Sequence, residues 1–368
     1  MTDLLYSDVE EDLRSSVRDL FADKAAAASV LARTESEEPY DLKLWRTVAA
    51  ELGLAGLHVP EELGGQGAST RELAVVLEEL GRSLAPVPLL GSAVLATSAL
   101  LGCDTAADEV SALLRRLAAG EVIGALAVAL TTWPGSPFPA AVSVSGGVLN
   151  GQVGLVADAS VADVLVVAAT GPDGPALYAV DDFTATEVTS LDLTRRLADV
   201  TLSGASGTLL ASGAQAVAAL NHALTAGAGL LASEQLGVAQ WCLDETVAYV
   251  KQRYQFGRPV GSFQALKHRL ADLYLELVTA RATARYAADT LASGDDDVPV
   301  AVALAQSTCA GIAVHAAEEA IQLHGGIGMT WEHPAHLYLK RAKSDELALG
   351  TPGRHRGSLA GLVNLPPA

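Results

Sequence analysis

Val9, Leu13, Val17 and Leu20 recur at steps of three and four residues with acidic positions between them, the spacing of a helix that buries one face. A second amphipathic run, DLKLWRTVAAELGLAGL at 41–57, is closed by Gly53 and Gly56. The loop PEELGGQGAS follows, in which Ser69 or Thr70 can cap a third helix, RELAVVLEELGRSL. Pro86 and Pro88 interrupt the chain before the next helix. Near Glu121 the period changes. VIGALAVAL, AVSVSG, VLNG, ADVLVVAA, ALYAV and ADVTLSG are short runs, many rich in β-branched residues, parted by Gly, Pro and Asp. Val142, Val144 and Val148 share one parity, as in a half-buried strand. From about residue 212 the helical period returns, with GDDDVP at 294–299 as a solvated turn between two long helices and a frayed end at 364–368. The pattern predicts an α+β multidomain chain: an N-terminal helical domain (1–120), a middle β-barrel-like domain (121–211) and a C-terminal four-helix-bundle domain (212–368).

Composition narrows the class. The chain has 368 residues, half of them apolar and 18% charged, enough for a sizeable core. Its formal net charge of -19 repels phosphate backbones and anionic lipid, which argues against nucleic-acid or membrane-surface partners. Cys103, Cys242 and Cys309 are odd in number and widely spaced, so a reducing cytoplasm is expected rather than a disulfide framework. The acidic start MTDLLYSDVEEDL lacks the basic and apolar regions of a signal peptide. Residues 200–233 carry no Asp, Glu, Lys or Arg, yet five glycines and several polar side chains break the continuous apolar run of a membrane span. A buried helix preceded by a strand, packed in a subunit interface, is the expectation there.

Most catalytic templates are absent: no phosphate loop of the Walker type, no GxSxG, no HExxH. His333 and His336 are spaced like metal ligands, but the sequence offers no evident third ligand, and surface histidines account for the pair. Two segments say more. RYQFGRPVGSFQALKHRLADLY (253–274) places an arginine, an aromatic ring and a glycine close together, with Gln264 opening a helix. An Arg fork and a Gln amide suit phosphate oxygens, and Phe256 offers a flat face to a ring. A helix–turn–helix corner in which Arg253 pairs with an acid fits the same residues. EEAIQLHGGIGMTWEHP (318–334) ends a helix at Gly325–Gly326, where a ligand can approach closely, with Gln322 one turn earlier.

With LWRTVAAELGLAGLHVPEELGGQG, these two segments resemble the acyl-CoA dehydrogenases over nearly the whole chain. The resemblance implies that the C-terminal domain holds the ADP part of a neighbouring subunit's FAD. Arg253 and Gln264 would bind the pyrophosphate region, Phe256 would pack near the adenine, and Gln322, Gly325 and Gly326 would contact the diphosphate and ribose.

The departures from the family pattern fall elsewhere. The family's catalytic Glu precedes Gly-Thr near the C-terminus; here DELALGTPGRHR puts Leu349 at that position. The alternative base position on an earlier helix, counted back from Phe256–Gly257, is Gly227. Asp345, Glu346 and Glu234 lie close in sequence and could stand in, although acids at helix ends are more often solvated. The family's flavin-ring segments are altered too: Thr132 and Trp133 follow Thr131, and Leu155, Val156, Ala157 and Asp158 replace a W-[IV]-[TS]-N tetrapeptide. The pattern resembles the non-catalytic subunit of bacterial heterotetrameric acyl-CoA dehydrogenases, several of which act on steroid side-chain thioesters. The implied partners are a homologous catalytic subunit and an electron-transfer flavoprotein, and no catalytic or metal-binding residue is assigned to this chain. Two alternatives stay open: an autonomous flavoenzyme of the same fold, with a displaced base or oxidase or monooxygenase chemistry, and a structural relic without flavin contact.

Overall fold

The computed structural model describes residues 4–365, so the end expected to fray, 364–368, lies largely outside them. The first region is helical: α1 (Asp8–Lys24), α2 (Ala27–Thr34), α3 (Leu42–Arg46), α4 (Thr70–Ser83), α5 (Thr97–Leu101) and α6 (Asp108–Ala118). Capping boxes begin α1, through Ser7 and Glu10, and α4, through Ser69 and Glu72. After Pro86 and Pro88 the chain resumes as a π-helical stretch, Leu89–Ala96, that runs directly into α5.

The middle region is one mixed sheet of β1 (Gly124–Ala127), β2 (Val142–Ser145), β3 (Val148–Ala157), β4 (Val164–Gly171), β5 (Gly174–Val180), β6 (Thr184–Val188), β7 (Leu197–Ser206) and β8 (Thr208–Ser212). The order is β6-β7-β3-β2-β4-β5-β8, with β1 lying parallel to β4. Val142 and Val144 are buried as their parity predicts, but Val148 is exposed. The Gly146–Gly147 turn separates it from them, and on β3 Leu149 faces the core instead. The strands β6 (TATEV) and β8 (TLLAS) are not among the runs read from the sequence.

The C-terminal region consists of α7 (Gly213–Gln252), a two-residue hairpin of β9 (Tyr254–Gln255) and β10 (Arg258–Pro259), then α8 (Gln264–Ser293), α9 (Val298–His324), α10 (Ala335–Leu347) and α11 (Pro352–Leu362). Helices α7, α8 and α9 pack together, and α10 and α11 lie on α9. Two segments, Gly213–Gln252 and Val298–Met329, are long and apolar enough to cross a membrane, but their most apolar windows are 72% and 61% buried inside the chain, as core helices are. Within the uncharged stretch, residues 223–233 are buried almost throughout by this chain's own helices, whereas Gln215, Val217, Asn221 and His222 are exposed. Glycine makes that packing possible. A Cβ on Gly237 of α7 would lie 1.9 Å from the Glu78 carbonyl oxygen of α4, and one on Gly81 would lie 2.0 Å from that of Glu234.

Candidate cofactor and catalytic site

Helix α7 ends where Arg253 turns to extended backbone, and α9 ends where Gly325 takes a positive φ of 63°. These two ends face each other across a pocket of ≈ 530 Å³ lined by Tyr249, Arg253, Arg269, Gln322, Gly325 and Gly326. No heavy atom lies within 4 Å of a Cβ position on Gly325 or Gly326, so a ligand can reach the backbone there. Arg253 is exposed. Among the described residues it forms no ion pair, which sets aside the reading in which it serves a structural acid. Gln322 is also exposed at the helix end. This donor set and open backbone fit an anionic diphosphate.

Four of the six residues singled out from sequence meet in this pocket; Phe256 and Gln264 do not line it. Phe256 stands at the tip of the β9–β10 hairpin with φ 53° and is 90% exposed, its ring edge-on to Phe263. Gln264 is the exposed first residue of α8. Arg269 was not singled out. It lies one turn and a half into α8 and is held by Glu319 through a bidentate pair.

Leu349 and Gly227, the two positions that the family resemblance assigns to a base, converge in space. A Cβ on Gly227 would lie 3.1 Å from Leu349 Cδ1 and 2.4 Å from Leu95 Cδ2. Leu349 is fully buried at φ 54°; its N–H donates to the Leu130 carbonyl (2.7 Å) and its carbonyl accepts from His355 Nε2 (2.9 Å). The neighbouring cavity, ≈ 460 Å³, is lined by Pro134, Asn221, Thr225, Val302, His355 and Leu362 among others, and no carboxylate is among its lining residues. Trp133 lies under the Arg354 guanidinium at 3.7 Å and against Gly350. Asp158, at the end of the altered tetrapeptide, is buried and accepts from Tyr40 Oη and the Gly91 N–H, both 2.9 Å. Around these positions the chain presents apolar surface and internally satisfied groups, which do not fit a flavin ring and its base.

The carboxylates that could stand in are occupied elsewhere. Glu234 and Asp345 are not solvated helix-end acids but fully buried members of one ionic cluster. Arg195, from the loop before β7, donates to Asp345 (2.7 Å) and Glu234 (2.6 Å), while Arg341 of α10 donates to Glu234, Asp192 and Thr194 Oγ1. The cluster pins the middle sheet to α7 and α10. Glu346 is half-buried beside Lys343, 3.3 Å away. Sequence reading passed over Asp192, Thr194 and Arg195, because their partners lie on distant helices.

Burial, helped by Glu234, pushes the Asp345 carboxyl up to about 8 against the opposing pull of Arg195 and Arg341. Protonation of Asp345 removes one of the negative charges that Glu234, Asp192 and Asp158 crowd around the two guanidiniums. Since the folded value exceeds the ~3.9 of an unfolded chain, folding takes up a proton between about pH 4 and about pH 8. The stability tied to that proton is complete below the window and is lost as pH rises through it. Asp345→Asn removes this slope: its urea midpoint falls less between about pH 5 and about pH 9 than the wild-type midpoint does. Parallel midpoints for the two proteins would mean that Asp345 is ionised in the fold.

The acyl-CoA dehydrogenase N-terminal domain pattern matches residues 7–121, and the C-terminal domain pattern matches residues 217–361. The acyl-CoA dehydrogenase IpdE2 of Mycolicibacterium smegmatis is 40% identical over 346 residues, covering 94% of this chain and 96% of that protein. Among solved structures, a variant of the Tcur3481-Tcur3483 steroid ACAD shares 31% identity at a TM-score of 0.85, covering 97% of this chain and 98% of that one. The ChsE4-ChsE5 complex from Mycobacterium tuberculosis shares 28% identity at a TM-score of 0.87 over the whole of both chains. The chain belongs to the acyl-CoA dehydrogenase family.

Proposed function

We propose that this chain is the non-catalytic subunit of a heteromeric, FAD-dependent acyl-CoA dehydrogenase. In this reading its C-terminal domain lends the ADP clamp to a flavin whose ring, substrate and base sit in a homologous partner. The observation that carries it is the contrast between two regions of one fold. Where a base belongs, Gly227, Leu349 and Leu95 close an apolar contact; where a diphosphate would bind, Arg253, Gln322 and the Gly325–Gly326 backbone stand open. Bound FAD would supply the acceptor for the hydride that leaves the acyl β-carbon. This chain's own residues do the holding: Arg253 neutralises diphosphate charge, and the glycines let backbone N–H groups approach it.

A partner surface is supported by apolar side chains left in the open. Tyr254 and Phe256 on the hairpin, and Tyr274, Leu275 and Val278 along one side of α8, are all exposed. Similarity to a structure named as a steroid ACAD favours a bulky, steroid-like acyl thioester. The family resemblance implies an electron-transfer flavoprotein as the acceptor of the electrons.

Flavin content tests the reading. Expressed alone, the chain carries no flavin; co-expressed with its homologous partner, it gives a yellow complex with about half as many FADs as subunits by absorbance and native mass. One FAD per chain in a stable homo-oligomer would overturn the proposal in favour of an autonomous flavoenzyme. Within the complex, Arg253→Ala removes charge-assisted hydrogen bonds of about 1.5–3 kcal/mol and weakens FAD retention roughly 10- to 100-fold. Unchanged retention after gel filtration would remove Arg253 from the clamp.

A further inference from the structure

The sequence pairs His333 with His336, but the fold pairs His333 with different residues. Glu245 on α7, His324 at the end of α9 and His333 in the loop before α10 each present a ligand atom, all within 4.8 Å of one another. His336 instead stacks on Trp331, with its Nε2 at 3.0 Å from the Trp331 carbonyl.

His324 is built for a ligand's role. It is 2% exposed, and its Nδ1–H donates to the Ala320 carbonyl at 2.6 Å. That bond fixes the tautomer and leaves Nε2 as a bare lone pair, which has no hydrogen-bond partner although it is buried. Histidines that ligate metals usually donate their other ring nitrogen to a carbonyl in this way. Tyr249 stacks on the ring at 4.4 Å between centroids, and the His333 ring lies tilted against it at 4.3 Å. His333 keeps only a long contact, 3.3 Å, from the Ala335 N–H to its Nδ1. Glu245 is half-buried and makes no ion pair among the described residues.

We propose that Glu245, His324 and His333 form a site for one divalent transition cation, zinc by preference, with a fourth position left to water. Two imidazoles and a carboxylate are a set that zinc accepts, whereas magnesium and calcium prefer oxygen donors throughout. Zn–N bonds of about 2.0–2.1 Å require donors about 3.3 Å apart in a tetrahedral site. Rotation of the half-buried Glu245 and His333 side chains would have to close the remaining gap. The bound ion would tie α7 to the end of α9 and to the 330–334 loop, stiffening the helix end that carries Gln322 and Gly325. His324 also lines the pocket assigned to the diphosphate, so ion and cofactor would share one wall, but the zinc test reads the ion without the flavin.

The test is zinc binding to the tag-free full chain, with its partner where the two co-purify, after dialysis against a chelator. Competition with a chromophoric chelator gives one zinc per chain, and cobalt(II) at the same site gives the visible d–d band of a tetrahedral centre. Glu245→Gln and His333→Gln each weaken binding at least about tenfold, since loss of an outer-shell partner alone typically costs that much. His336→Gln leaves it unchanged. Both ligand variants lie at the surface or half-buried, so an unaltered circular dichroism spectrum accompanies the loss. Absence of a zinc equivalent in the wild-type chain, or equal binding by wild type, Glu245→Gln and His333→Gln, would overturn the site.

Discussion

Replacing Arg341 by alanine lowers the unfolding free energy by about 3–5 kcal/mol, the cost of breaking a buried ion pair from one side. Arg341 is 1% exposed, and its guanidinium serves Asp192, Glu234 and Thr194 at once. Its removal leaves Arg195 as the cluster's one cation, already shared between Glu234 and Asp345. Asp192 then keeps only the N–H and hydroxyl of Thr194, two neutral donors for a buried charge. Packing is lost as well, because Arg341 is among the largest fully buried side chains. Arg341→Lys retains the charge but cannot reproduce three directed hydrogen bonds, so its loss is smaller. Urea denaturation followed by circular dichroism measures both variants against wild type. A shift below about 1 kcal/mol for Arg341→Ala would show that water, rather than Arg341, solvates the acids.

The order of structure along the chain was legible because periodicity changes twice. The apolar three-and-four pattern of α1, from which the exposed Val9 departs, gives way to short apolar runs that fall in β1 to β5 and β7, and the helical period returns at α7 from Gly213, within a stretch uncharged since Val200. Family likeness rested on motifs around turns, where Arg253, Gly325 and Gly326 keep their neighbours local. The ionic cluster could not be read in the same way. Asp192 and Arg341 touch across 149 positions, and neither has a local pattern that names its partner. Glu234 and Asp345 were visible as acids but not as buried ones, since their helices supply the burial and Arg195 supplies the charge. His324 was hidden for a similar reason. It sits inside a glycine motif that draws attention to backbone, while Glu245, within reach of it, lies nearly two full helices earlier.

Installing the family's carboxylate in this chain by Leu349→Glu creates no acyl-CoA dehydrogenation and destabilises the fold by several kcal/mol, on the order of 3. Leu349 is fully buried against Leu95 and the bare α-carbon of Gly227, and the backbone groups of residue 349 are already bonded to Leu130 and His355. A glutamate side chain there has no cation beside it, because Arg195 and Arg341 are committed to the cluster. Burial would therefore raise its pKa and hold it neutral, leaving it a poor base even if substrate could reach it. Gly227→Glu fares worse, since its Cβ alone would overlap Leu95. A base by itself would also lack a ring to work beside, with Trp133 held between Arg354 and Gly350 and Asp158 turned inward to Tyr40. Dye reduction by the purified Leu349→Glu chain with an acyl-CoA, together with its thermal midpoint, measures both effects. Turnover by that variant in the absence of a partner would mean that one side chain separates this chain from an autonomous enzyme, and the subunit reading would fall with it.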